Sequence, residues 1–211
     1  KYEIITIVFI VAFLGYMMFL APKKAPDNIV FVTGEITNPI GDTVKFHTKD
    51  TSYIAILDTS GFFSLQFELD SSIYLSFFHG VESTSMYLNR GDEVHLTIDT
   101  ELFDESITYA GSEESSYIAW EYMYHELRPI VEWYKISEEE LTVQSDLLRE
   151  EIQENLNKFR SLNRQFYEVE SEKLTGQETY INKRRLILAT LPQPGEDPHD
   201  FTYPDKDGNE I

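Results

Sequence analysis

The stretch Phe62-Phe63-Ser64-Leu65-Gln66-Phe67-Glu68-Leu69 decides how the first half of the chain is read. On an extended strand successive side chains point to opposite faces, so Phe63, Leu65, Phe67 and Leu69 share one face and Ser64, Gln66 and Glu68 the other. One face is therefore buried and one wet, as in a sheet packed on a single side. The pattern recurs outward in both directions: Val30 with Val32, Val44 with Phe46, Ile54 with Ile56, then Ile73, Leu75 and Phe77, and finally Val94, Leu96 and Ile98. Turn residues separate these segments. Ile40-Gly41-Asp42, Asp58-Thr59-Ser60-Gly61 and Asn89-Arg90-Gly91-Asp92 put Gly, Asp or Asn where a positive φ is readily adopted. Short strands spaced by about ten residues predict an antiparallel β-sandwich or barrel-like domain over residues 28–111. Arg90-Gly91-Asp92 also spells an integrin-recognition tripeptide, but glycine and aspartate between two strands read first as a turn.

Most aromatic residues of this region fall on the apolar phase and are expected in the core. Phe62 and Phe78 do not. With Tyr74 they form the candidate partner-binding surface, for a client protein or a glycan.

Beyond the β-rich region the period changes. Ser112 followed by Glu113 and Glu114 is a helix start, a hydroxyl cap followed by negative charge at the positive end of the helix dipole. Tyr117, Trp120, Tyr124, Leu127, Val131 and Tyr134 then recur at steps of three and four, with Pro129 expected to kink or break the helix. Ser137-Glu138-Glu139-Glu140 is a capping box. The stripe Leu148, Ile152, Leu156, Phe159, Leu162, Phe166 and Val169 predicts a second helix running to Leu174, with Gly176 as its stop and a third helix from Gln177 to Leu191. Such a rod, on the order of 55 Å at 1.5 Å per residue, suits a coiled-coil homodimer. It equally suits packing within the chain, which is the favoured expectation. Residues 112–191 thus form a helical section.

At the other end, Ile4 to Ala21 reads IITIVFIVAFLGYMMFLA without a charge, long enough to cross a bilayer as a transmembrane helix or to serve as a signal anchor. Residues 1–27 are accordingly expected to be an anchor and connector, and the membrane to be a partner through residues 4–21. Lys23 and Lys24 on one side and Lys1 on the other leave the charge rule for orientation balanced.

Composition narrows the chemistry. The chain has 37 acidic and 17 basic residues, a formal net charge of −20, which repels phosphate backbones and argues against nucleic acid as a partner. It has no cysteine, so thiolate ligands and nucleophiles are excluded for this stretch. The histidines at 47, 79, 95, 125 and 199 are scattered without metal-site spacing. Glu150 with Glu154 could share a helix face, but without an E-x-x-H companion they read as solvated surface. Asp205 and Asp207 lack the remaining ligands of a calcium loop. No catalytic, cofactor or metal site is expected.

Residues 192–211 begin with Pro192-Gln193-Pro194-Gly195, a linker, and continue to Pro198, Phe201, Asp205, Asp207, Gly208 and Ile211. That run resembles the entry to the thioredoxin-like domain of membrane-anchored thiol-disulfide oxidoreductases of the TlpA/ResA kind, His199 being a small departure. Asp58 to Phe63, Tyr87 to Val94 and Tyr109 to Ser112 resemble, in the same order, marks of the β-rich domain that precedes the redox domain in several bacterial members. The resemblance implies an α+β chain: anchor, β domain, helical section, and the first strands of a truncated thioredoxin-like domain. It further implies a C-x-x-C pair beyond Ile211 and placement in the bacterial cell envelope, extracytoplasmic or periplasmic. The alternative expectation is a non-enzymatic envelope module that binds a glycan or a protein.

Overall fold

In the computed structural model the described residues are 28–128 and 136–189. Alternating side chains build eight strands, β1 (Ile29–Thr37), β2 (Thr43–His47), β3 (Ser52–Ile56), β4 (Phe62–Glu68), β5 (Ile73–His79), β6 (Glu82–Leu88), β7 (Glu93–Asp99) and β8 (Thr108–Ala110). They form two four-stranded sheets, in the orders β4-β1-β7-β8 and β3-β2-β5-β6. Phe63 of the first sheet and Phe46 and Phe77 of the second meet between them, with ring centroids 5.8 Å (Phe46–Phe63), 5.3 Å (Phe46–Phe77) and 6.3 Å (Phe63–Phe77) apart. The domain is therefore a sandwich, closed over one apolar core that draws on both sheets. Gly34 on β1 lies under Phe63: a Cβ there would sit 2.6 Å from the ring, so only glycine admits it.

Two expectations for the strands are corrected. The sheets are not purely antiparallel, because β1 pairs antiparallel with β4 but parallel with β7. Alternation of apolar and polar residues states which face a side chain takes, not which way a neighbouring strand runs; the chain visits the whole second sheet before β7 returns beside β1. Ile54 and Ile56 face outward, 59% and 71% exposed. The pairing of β3 with β2 sets Tyr53 opposite Phe46 and Ala55 opposite Val44, and Tyr53 stacks on Phe67 at 4.3 Å. The larger aromatic surface of Tyr53, next to a buried Ala55, wins the inward phase, since a shift by one residue exchanges the faces.

After β7 come a 3₁₀ turn and the short helix α1 (Phe103–Ser106), which buries Phe103. Helix α2 (Glu113–Glu126) starts at Ser112, whose hydroxyl accepts from Ser115 N, in agreement with the expected cap. It packs on β6 and β8, the strands at the open edges of the two sheets. An edge strand leaves unpaired backbone groups, and here side chains satisfy them: Tyr87 N donates to Ser115 Oγ (3.0 Å), and the hydroxyls of Ser112 and Ser115 lie 3.0 and 2.9 Å from Tyr87 O.

The single rod expected from Ser137 to Leu174 is replaced by α3 (Glu138–Leu156), α4 (Phe159–Leu162) and α5 (Arg164–Ala189). A first interruption is the turn at Asn157 and Lys158; the second falls at Asn163, in extended backbone, whose side chain accepts from Phe166 N (3.1 Å) as a cap. The Asn163 amide also donates to Asn89 (3.0 Å) and to Glu114 (2.7 Å), tying the bend to the sandwich. Helix α5 runs through Gly176, so that glycine is no stop, and the expected third helix is continuous with α5 as far as Ala189.

Folding the rod back places Leu148, Ile152, Leu156, Phe159, Phe166 and Leu174 against Tyr87, Tyr117 and Tyr124 in a second core. Leu148, Ile152, Leu156, Phe159 and Phe166 of the expected stripe thus pack within the chain, whereas Leu162, also expected in it, is exposed. Leu127, at the end of α2, is exposed as well.

Pro129, Val131, Tyr134, the apolar segment 4–21 and residues 192–211 lie outside the described residues. Among the described residues no helix is long and apolar enough to cross a membrane.

Candidate functional site

A cleft of about 550 Å³ opens where α2 and α5 meet the outer face of the second sheet. Helical spacing brings Ile118, Glu121, Tyr122 and His125 of α2 to it, at steps of three and four. Helix α5 contributes Glu170 and Lys173, β5 contributes Tyr74 and β6 Ser85. Tyr74 points outward because Ile73, Leu75 and Phe77 are turned to the sandwich core; its ring meets Tyr87 edge-on at 4.8 Å and stacks with Phe166 at 6.1 Å.

Glu170 is the unusual member, a carboxylate only 3% exposed. A charge buried this far needs partners. The Tyr74 hydroxyl donates to its Oε1, and Lys173 Nζ donates to the same oxygen at 2.7 Å while lying 4.1 Å over the Tyr74 ring. Glu121 faces this group from α2. Burial first, and the negative charge of Glu170 second, push the Glu121 carboxyl up to about 7, with Lys173 offsetting part of the rise. Burial, then Glu121 and Glu170, also push the Tyr117 phenol up; burial and the bond to Glu170 do the same to Tyr74. Burial, then the neighbouring Arg128, holds His125 below the ordinary imidazole range, so it adds no positive charge at neutral pH. Two carboxylates therefore share one ammonium in a partly dry, aromatic-walled cleft. Such an arrangement can hold a proton or a cation.

The three residues expected to bind a partner are dispersed. Tyr74 lines this cleft. Phe78 lies on the same outer face of the second sheet, half-buried, its ring 4.9 Å from that of His47 and separated by Lys45 of β2 from the exposed Ile54 of β3. Phe62 is on the outer face of the first sheet, opposite Glu35, so the sandwich separates it from the other two. Among the described residues no three His, Cys, Asp or Glu side chains converge as a metal-ligand set.

Reading the sequence passed over Glu121 and Glu170 because forty-nine positions separate them and acidic residues are common throughout. One signal does mark Glu170: it stands four residues after Phe166 and four before Leu174, inside the apolar stripe of its helix, where a charge has to be paired. Neither a protein-family model, nor a curated protein, nor a solved structure matches this chain.

Proposed function

We propose that residues 28–189 are a non-catalytic accessory module of a thiol-disulfide oxidoreductase, held outside the cytoplasm at the bacterial membrane through residues 4–21. A thioredoxin-like domain would begin within residues 192–211, and its C-x-x-C would follow Ile211. The reading is supported by one observation above others: the short motifs within residues 58–112 that share in the resemblance sit at turns and a helix cap of this sandwich. Asp58 Oδ1 accepts from Ser60 N (2.8 Å) and Phe62 N (3.0 Å), and Gly61 turns at φ +82° against Ile36 O. Gly91 turns at φ 75°, and Asp92 accepts from Asn89 N at 2.7 Å, so Arg90-Gly91-Asp92 is built as a turn. Gly111 turns at φ +89° directly before the Ser112 cap. These turn and cap roles support the reading.

In this reading α5, held to the rest of the described residues through Asn163 and Glu170, precedes the redox domain in the chain. The mechanism resides in the cysteine pair, where a thiolate of lowered pKa attacks a client disulfide. The test is to express the protein with whatever its coding sequence specifies beyond Ile211 and to assay reduction of insulin disulfides. Activity lost on replacing both cysteines of a downstream C-x-x-C by serine is the expected result. A coding sequence without such a pair, and no activity, would overturn it.

The cleft favours a second reading, a binding module of the envelope that needs no redox partner. Client or ligand capture at Tyr74 with the redox domain absent would distinguish it.

A further inference from the structure

Three features of the cleft between β5, α2 and α5, and of the second core beside it, remain unused by the accessory role. The first is Glu121. Among the described residues no hydrogen-bond donor meets its carboxylate, although burial and Glu170 both make its charge costly. The second is Tyr117, 4% exposed, whose hydroxyl has no partner among the described residues. It belongs to the second core, against which Tyr74 packs, and precedes Ile118 of the cleft wall in the chain. The third is a charge deficit. Tyr74 and Lys173 both engage Oε1 of Glu170, so Oε2 keeps capacity for a further donor, and one ammonium balances two carboxylates.

Space and walls fit a small molecule. A volume of about 550 Å³ lies within the range of about 300 to 1,000 Å³ typical of small-molecule sites. Tyr74, Ile118 and the half-exposed Tyr122 offer apolar and aromatic surface beside the carboxylates. Tyrosine faces attract ammonium groups, as Lys173 over Tyr74 already demonstrates within the chain.

We propose that this cleft binds a small primary amine with an apolar body, its ammonium held by Glu121 and Glu170 and its body lying against Tyr74, Ile118 and Tyr122. The ammonium supplies the donor that Glu121 lacks and cancels the surplus negative charge. A neutral ligand of the same shape would leave both carboxylates as they are. An anion would meet them directly and is rejected. Among the described residues His125 on α2 and Lys173 on α5 are the basic groups lining the cleft. His125 is neutral near pH 7, and Lys173 is already committed to Glu170, so neither competes for the added charge.

The probe is 2-phenylethylamine, with 2-phenylethanol as its neutral counterpart, titrated calorimetrically into the full chain at pH 8 and constant ionic strength. Saturable one-to-one binding of the amine and none of the alcohol is expected. Glu121→Gln, which keeps the shape and removes a repulsion, should weaken binding at least tenfold while its thermal melt shows the fold intact. Glu150→Gln with Glu154→Gln, on the far face of α3, should leave binding unchanged. Equal binding of the alcohol, unaltered binding by Glu121→Gln, or no binding at all would overturn the proposal. So would an equal loss in the Glu150/Glu154 variant, which would show only diffuse attraction to a chain of charge −20.

Discussion

The Tyr74 hydroxyl donates to Glu170 Oε1 across ninety-six positions of sequence, fastening helix α5 to the outer face of the second sheet. This bond joins the sandwich core and the helical core, and it supplies a buried carboxylate with one of its donors. Tyr74→Phe keeps the ring contacts with Tyr87 and Phe166 and deletes the hydroxyl alone. A hydrogen bond to a charged group contributes about 1.5 to 3 kcal/mol, so unfolding by urea should show a loss of that size. A change below about 0.5 kcal/mol would mean that Lys173 alone satisfies Glu170.

Glu121 predicts a pH dependence of stability. Its folded value, raised to about 7 from 4.5, means that between these values the folded chain holds a proton that the unfolded chain has released. The associated stability is fully present below about pH 4.5, declines as the pH rises, and is gone above about 7. The amplitude is about 3 kcal/mol at one pKa unit per 1.36 kcal/mol. Glu121→Gln should remove this slope, so the difference between wild type and variant, measured by denaturant unfolding from pH 4.5 to 8, should grow with pH. Parallel curves would refute the assignment.

Ser115 links α2 to the edge of β6 through both backbone groups of Tyr87. Ser115→Ala leaves the Tyr87 N–H buried without an acceptor. The expected cost is about 1 to 3 kcal/mol, and hydrogen exchange at the Tyr87 amide should accelerate relative to amides of β1. Unchanged exchange there would mean that the strand edge is protected by α2 as a whole.

Two glycines of nearly equal φ separate backbone strain from crowding. Gly41, at φ +90°, has nothing within 4 Å of an added Cβ, whereas at Gly111, φ +89°, that atom would stand 2.0 Å from Glu93 O. Gly41→Ala should cost about 1 to 2 kcal/mol. Gly111→Ala must move backbone as well, and should cost clearly more or prevent folding. Equal thermal melts of the two would show that the β7 end of the sheet yields easily.

Much of the sandwich was legible because its physics is local. The alternation in Phe62–Leu69 and the turns at Gly61 and Gly91 depend on side-chain period and on φ, both of which are written in neighbouring residues. The Ser112 and Ser137 caps were legible for the same reason. What failed was non-local. Ile54 and Ile56 match an inward phase as well as Tyr53 and Ala55 do, and only pairing with β2 chooses between them. The rod read through Asn163 because the apolar spacing continues across it; its break is held by Asn89 and Glu114, far away in sequence.

By itself, then, the sequence determined a β-rich half and a helical half, where most strands begin and turn, an acidic surface and a chain without thiol chemistry, since composition and short-range periodicity are properties of the residues alone. The tertiary structure decided the parallel pairing of β1 with β7, the folding of one long helical pattern into α3, α4 and α5, and the meeting of Tyr74, Glu121, Glu170 and Lys173. These depend on which surfaces come together once apolar area is buried, and on the partners a buried charge then requires, neither of which a one-dimensional pattern specifies.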